Sequence, residues 1–412
     1  MRDYLKVKKR KWPFPFISGL TIANDADGLT IDFFQDLMQF VNTTEDTPFG
    51  KGLGLDLSSS FFLFSKQERA CSVYNNIDLD SKENEYAPKI DEYVNAGWID
   101  AIHGIGDFDS GGFSREHALK AQRYLVRNKE SIEIFTNHGT SFNIQNVGID
   151  APYHLGDALD SEYYHVDILK QIGIKYVWTD SMVASNYISL LKSTPLEQKS
   201  KQIVRRILRR SANYTFRKDE ELATISLRDK SKFQGFRRYS GTKIAAPNLG
   251  SFREQLGSID WRDFYQRQMG IVLYQHFGIL SFDKVNPWLL STTDKVIKSR
   301  RPLLEPFLFL RDQNSMKRLW VASCKKYLRY RMMYKLVNVR YVSDGHYEIA
   351  LNNKYVCEFD ASWLEGLTFY AEQGHIKSLH FGEIPIKIDV VGTDESGKNC
   401  VMVPFGQSQR ES

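Results

Sequence analysis

Cysteine is nearly absent from this chain. Its 412 residues hold only Cys71, Cys324, Cys357 and Cys400, widely scattered and with no CxxC pair. That spacing builds neither a disulfide framework nor a thiolate metal site, and it predicts reduced, structural thiols in a cytosolic protein. Long apolar runs are missing too: nowhere do about 20 apolar residues follow one another without interruption. The opening MRDYLKVKKRKWPFPF is basic but has no apolar stretch behind it, so neither a secretory signal nor a membrane span is expected. The expected location is cytoplasmic, and peripheral attachment to the inner membrane face would be a variant of it. Also lacking are GxGxxG after a strand, GxxxxGKS/T, GxSxG and HExxH, which removes support from dinucleotide, nucleoside triphosphate and serine-hydrolase chemistry.

What is present is ordinary in bulk and uneven in detail. Hydrophobic residues make up 42% and charged residues 25%, as in a globular protein with room for one large domain and a smaller one. Aromatics reach 13%, which serves a core or a set of platforms for sugar rings. Net charge is only +5, yet Lys199–Lys243 carries 14 Lys and Arg against 4 Asp and Glu. Such a basic insert fits an anionic membrane surface or a lipid-phosphate-linked glycan, or else a solvated face. No nucleic-acid recognition motif accompanies it, so nucleic acid is not an expected partner.

Periodicity predicts repeated β–α units. A strand near Phe16–Ala23 precedes a helix with Thr30 as cap and IDFFQDLMQFVN as body. GLGLDLSSSFFLFS reads as the next strand and loop. Helices are expected at Tyr86–Ala96, Ser114–Lys129, Ser161–Ile172 and Gly257–Gln268, and strands at Ile99–His103, Ile132–Thr136, Lys175–Trp178 and Ile271–Gln275. From His103 to His138 is 35 residues and from Asp27 to His103 is 76, close to one and two such units. Ser315–Val337 reads as one long amphipathic helix. Short alternating segments follow it, with Asp344-Gly345 as a hairpin turn, and predict an antiparallel β module. The domains would be 12–300, an α/β barrel with the basic insert near 199–243, and 301–412, the long helix plus the β module.

Four of the strands end in His or Asp followed within two residues by Gly: ISGLTIANDADG, WIDAIHGIGD, IEIFTNHG and IVLYQHFG. In α/β folds the chemistry sits where such strands end. Asp25, Asp27, His103, Asp107, His138 and His276 should therefore surround one mouth. Two carboxylates at i and i+2 repel each other, so one is expected to bind a cation or to act as a base. His103 and Asp107, four apart around Gly104 and Gly106, suit a borderline divalent ion. Asn137, Gln145 and Asn146 offer paired amides for sugar hydroxyls. His165 and Asp180 are weaker candidates for the same surface, and His117 reads as a surface residue.

With these motifs the chain resembles the polysaccharide deacetylase superfamily, the NodB-like carbohydrate esterases, over roughly residues 12–300. The resemblance implies a distorted (β/α)7 barrel and a single divalent metal, zinc by preference, with cobalt, manganese or nickel as alternatives. Asp25 and Asp27 resemble the family's base-and-ligand Asp pair. His103 and Asp107 match the spacing of its two His ligands, with Asp in the second place. His276 resembles its late-strand general acid. Ala26 splits the Asp pair, which leaves the base and ligand roles interchangeable. Asn137-His138-Gly139 stands about where an Arg-Pro-Pro-Tyr loop is usual. With Asp27 and His103 as ligands, Asp107 or His138, which share their place at strand ends, is expected to complete the metal site. The implied reaction is removal of an acyl group, acetyl first, from a sugar in a polysaccharide or glycan precursor. A glycoside hydrolase on the same barrel, or a catalytically silent carbohydrate-binding relative, is the alternative.

Overall fold

The computed structural model describes residues 7–129, 131–139, 143–149, 151–182, 220–241, 246–279, 301–343, 345–351, 360–371 and 376–406. The chain divides into two compact units. One comprises residues 20–312 with 321–325, and the other comprises 1–19, 313–320 and 326–412.

The larger unit starts within β1 (Ser18–Asn24), whose seven residues are all buried. A strand hidden on both faces is apolar at most positions, as SGLTIAN is at Leu20, Ile22 and Ala23. Helix α1 (Ile31–Asn42) follows, capped by the Thr30 hydroxyl, which accepts from the Phe33 N–H. Such a cap stabilises a helix by about 1 kcal/mol. Next come β2 (Ser59–Phe64), β3 (Ser72–Tyr74), α2 (Ala87–Asn95) and β4 (Ile99–His103). They are followed by α3 (Arg115–Arg127), β5 (Ile134–Thr136), α4 (Val166–Gln171) and β6 (Tyr176–Trp178). The hairpin β7 (Leu222–Ser226) and β8 (Lys232–Phe236), the short helices α5 (Phe252–Gly257) and α6 (Trp261–Gln266), and β9 (Gly270–Gln275) complete the run.

One sheet has the order β7-β8-β6-β5-β4-β2-β3, parallel throughout except for the β7–β8 hairpin. Its register sets His103, Thr136 and Trp178 level with one another at the strand ends. A second sheet has the order β9-β1-β10, where β10 is Leu319–Val321. A parallel bridge, Tyr239 to Leu273, joins the two sheets on one side. Between β1 and β2 the described residues show no closing ladder. There Asn24 Nδ2 donates to Ser59 Oγ at 2.7 Å, a side-chain link where a closed barrel would have backbone bonds. The fold is thus mixed α/β with several sheets.

Three helix expectations need correction. Ser161–Ile172 contracts to Val166–Gln171, because the His165 N–H turns back to the Gly156 carbonyl. Gly257–Gln268 is broken before Trp261, where the Asp260 carboxylate caps a new helix by accepting from the Arg262 and Asp263 amides. Ser315–Val337 is not one helix. Helix α7 (Glu305–Ser315) stops, Lys317 takes φ 60, β10 follows, and α8 (Cys324–Leu336) starts afresh. The β-prone Leu-Trp-Val triplet joins a sheet rather than continuing a helix.

The smaller unit holds β11 (Val337–Ser343), β12 (His346–Leu351), β13 (Thr368–Tyr370), β14 (Ser378–Phe381), β15 (Ile384–Ile386), β16 (Asp389–Thr393) and β17 (Asn399–Met402). They form the sheet β11-β12-β14-β15 and, with Lys8–Lys9, a sheet in which β13 pairs β17 and β17 pairs β16. The expected module is mostly antiparallel, but β12 and β14 run parallel. No helix among the described residues is long and apolar enough to cross a membrane.

Candidate metal centre

Asp27 and His276 stand on loops that follow β1 and β9, and glycines bring those loops together. Gly28 and Gly278 pack backbone against backbone: a Cβ on Gly278 would lie 2.4 Å from the Gly28 carbonyl carbon. Asn24 Oδ1 accepts from the Phe277 amide at 2.7 Å, and the Asp25 amide donates to the Gln275 carbonyl at 2.8 Å. The repeated ending of acid or imidazole followed by Gly is thus a packing requirement as well as a chemical one.

At the centre, His103 Nε2 lies 3.0 Å from Asp27 Oδ2 and 3.0 Å from His138 Nδ1. His138 Nδ1 is 3.5 Å from Asp27 Oδ1, and His276 Nε2 is 3.6 Å from Asp27 Oδ2. Three groups have ligand atoms mutually within 4.8 Å: Asp27 with His103 and His138; Asp25 with Asp27 and His276; and Asp107 with Asp109 and His138. Buried Asp and His side chains are therefore positioned to hold a metal ion. His103 Nδ1 is paired with Thr136 Oγ1 at 2.7 Å, the kind of partner that orients a ligating imidazole.

Electrostatics tie the cluster together. Burial pushes the Asp27 carboxyl up, but the His138 and His103 charges outweigh it and hold the group well below the usual carboxylate range. Burial pulls His138 down, yet Asp27, Asp107 and Asp109 raise it to about 9. His276 is lowered, chiefly by burial, against the pull of Asp27 and Asp25. Its Nδ1 faces the Pro247 carbonyl at 2.8 Å, so that nitrogen donates, and Nε2 faces Tyr274 Oη at 3.2 Å.

Asp25 lies beneath this cluster, 1% exposed. Its Oδ1 accepts from Arg238 Nη1 at 2.5 Å. Arg238 is itself fully buried, its guanidinium 3.5 Å from the Trp178 ring centroid and 3.8 Å from that of Tyr274. Such a sandwich desolvates and orients a cation that would otherwise be costly inside a protein. Asp25 Oδ2 has no hydrogen-bond partner among the described residues and faces His103 Nε2 at 3.6 Å and His276 Nε2 at 3.8 Å.

The structure brings together Asp25, Asp27, His103, Asp107, His138 and His276. Other candidates have different work. Asn137 exchanges two hydrogen bonds with the Val147 backbone, Asn146 two with His138, and Gln145 three with Ile105 and Gly106. These amides are buried and hold loops in shape. His165 is completely buried, its Nδ1 on the Tyr163 carbonyl and its ring against Phe113, and burial lowers it to about 4. Asp180 sits 3.8 Å from His154 Nε2, outside the three groups. His117 is buried rather than on the surface. It completes the cap of α3 with Ser114 and pairs with the Ile77 carbonyl at 2.8 Å.

Two members of the site escaped sequence reasoning. Asp109 repeats the i, i+2 relation of Asp25 and Asp27, now with Asp107, and that spacing was a usable signal. Arg238 follows the apolar end of β8, but it was hidden in the charge surplus of the basic insert. Much of that insert, residues 183–219, lies outside the described residues. Within the described part, Arg237 and Arg238 are buried, and Arg228 lies 3.7 Å from the buried Asp157, so these charges do not form an outward-facing patch.

No family model and no curated protein matches this chain. Among solved structures, a 4-alpha-glucanotransferase from Thermococcus litoralis is similar to it with TM-score 0.37 and 9% identity, over 76% of this chain and 40% of that one. The chain thus spans less than half the length of that enzyme. A likeness so distant assigns neither family nor reaction.

Proposed function

We propose that the chain is a metal-dependent hydrolase that removes an acyl group, acetyl by preference, from a sugar in a polysaccharide or glycan precursor. The observation that carries this reading is the convergence of Asp27, His103 and His138 on one point, with Asp25 and His276 beside it. Three nitrogen and oxygen donors match the protein ligand count of a catalytic zinc site, one fewer than a closed structural site takes. The hydrogen-bond vacancy at Asp25 Oδ2 is the kind of buried atom that such a centre uses. On this reading the seven strands of the distorted barrel would be Ser18–Asn24, Ser59–Phe64, Ile99–His103, Ile134–Thr136, Tyr176–Trp178, Lys232–Phe236 and Gly270–Gln275, which lie in two separate sheets.

When bound, the ion supplies polarisation of the acyl carbonyl and a lowered pKa for water. Asp25 Oδ2 takes the proton of the attacking water, and Arg238 fixes the other carboxylate oxygen so that Oδ2 cannot turn away. His276, anchored through Nδ1–H to Pro247, presents Nε2 3.8 Å from Asp25 Oδ2. A proton received there passes to the leaving amine or hydroxyl. Burial favours neutral His276 at rest, which suits a group that must first accept a proton and then release it.

The test is product analysis with acetylated amino-sugar oligosaccharides. Acetate release without new reducing ends is the expected result. New reducing ends without acetate would assign the site to glycoside hydrolysis instead.

A further inference from the structure

The two ring nitrogens of His138 face different neighbours. Nδ1 is turned toward His103 Nε2 at 3.0 Å and Asp27 Oδ1 at 3.5 Å. Nε2 is turned toward Asp107 Oδ1 at 3.3 Å and Asp109 Oδ1 at 3.6 Å. A neutral imidazole has one N–H and one lone pair, whereas an ionised carboxylate only accepts. Two carboxylates at Nε2 therefore select the tautomer that carries its proton there. The lone pair is then left on Nδ1, on the side of Asp27 and His103.

The surroundings hold this arrangement in place. Asn143 Nδ2 donates to Asp109 Oδ1 at 2.9 Å. Gly139, at φ 72, lets Asp109 approach: a Cβ at that position would fall 1.7 Å from Asp109 Oδ1. The His138 backbone is fixed by Asn146 through both its N–H and its carbonyl. Phe62 packs on the imidazole with ring centroids 4.9 Å apart and planes at 74°. The ring has little freedom to exchange its two edges.

We infer that Asp107 and Asp109 are positioning residues: they hold the Nε2 proton of His138 and so direct Nδ1, not Nε2, at a divalent cation shared with Asp27 and His103. The inference rests on the metal-centre reading above. It makes Asp107 an orienting group rather than a ligand. It also has the two imidazoles meet the ion through opposite nitrogens, since His103 keeps Nδ1 on Thr136 and offers Nε2. Metal-ligating histidines are commonly fixed in this way by an acceptor on the far nitrogen, and removing such acceptors costs roughly 10–100-fold in metal affinity.

The test uses the full chain labelled with nitrogen-15 at histidine, titrated with Zn2+ and read by long-range proton–nitrogen correlation. The expected result is a zinc-induced shift at His138 Nδ1, with the proton remaining on Nε2. A D107N/D109N variant loses the selection, because an amide donates as readily as it accepts. It should bind zinc at unchanged stoichiometry but roughly 10–100-fold more weakly. Coordination through His138 Nε2 overturns the inference. So does wild-type affinity in the double variant, or loss of stoichiometric zinc in D107N while D109N keeps it. A wild-type chain that binds no zinc overturns this inference and the hydrolase reading together, whereas zinc held through Nε2 overturns this inference alone.

Discussion

The imidazole cluster has two acidic walls, and they are built differently. The deep wall is Asp25, 1% exposed and locked to an equally buried Arg238 between two aromatic rings. The shallow wall is Asp107 and Asp109, each 38% exposed, whose partners in the cluster are His138 and, for Asp109, the Asn143 amide. A charge held in low dielectric by a fixed counter-ion keeps its geometry and is little affected by salt. Half-exposed carboxylates are screened and replaceable. The deep wall suits proton transfer, which needs one oxygen in one place. The shallow wall suits adjustment of how a ligand is presented.

The largest effect should come from the deep wall. Asp25→Asn should lower acetate release by roughly 10²–10⁴-fold while metal content stays at the wild-type level, because an amide cannot take the water proton. If D25N loses the metal and D27N keeps it, the two carboxylates have exchanged roles, as the split Asp-Ala-Asp motif permits. Next comes Arg238→Met, which strands a buried carboxylate. Breaking a buried pair by removing one partner costs about 3–5 kcal/mol, to be read from urea unfolding, and D25N/R238M should recover part of the loss.

How much of this could be read beforehand depends on what kind of information each residue carries. Strand ends were legible because a parallel strand buried on both faces is a continuous apolar run, and the polar residues that end it stand out. Asp25, Asp27, His103, Asp107, His138 and His276 all lie at such ends. Arg238 lies at one too, yet a surrounding run of basic residues masked a single inward-turning cation. The backbone bonds of Asn137, Gln145 and Asn146 were not legible, because a side-chain amide satisfies backbone groups as readily as sugar hydroxyls and the sequence does not say which partners the fold brings to it. Helix boundaries failed at Lys317 and Asp260 for a related reason. A helical pattern of apolar residues does not reveal a left-handed residue or an internal cap.

The third effect separates the walls by pH. In metal-free protein His138 is raised from 6.5 to about 9. Its contribution to stability is complete below pH 6.5 and is lost as pH rises through about 9. Asp27, lowered from 3.8, contributes above that value and loses its contribution as pH falls below it. Chelator-treated protein should therefore lose urea resistance between pH 6.5 and 9. The loss is at most about 3 kcal/mol, since each tenfold gain in proton affinity is worth about 1.4 kcal/mol. D107N/D109N should flatten that decline, because two of the carboxylates that raise His138 are gone. An equally steep decline in the double variant would detach the shallow wall from His138.

The smallest effect concerns the basic segment. Because Arg228, Arg237 and Arg238 turn inward, the charge left to meet an anionic surface is reduced. Sedimentation with anionic vesicles should show weak binding that disappears as the Debye length falls from about 10 Å at 0.1 M salt to about 3 Å at 1 M. Absence of binding even at low salt would leave the segment as a solvated face.

The most direct measurement takes bound zinc and acetate release from the same preparations of wild type and D25N. Stoichiometric zinc is expected in both, with acetate release from acetylated amino-sugar oligosaccharides in the wild type alone. Full acetate release by D25N, or a wild type that holds no divalent ion, would contradict the hydrolase reading.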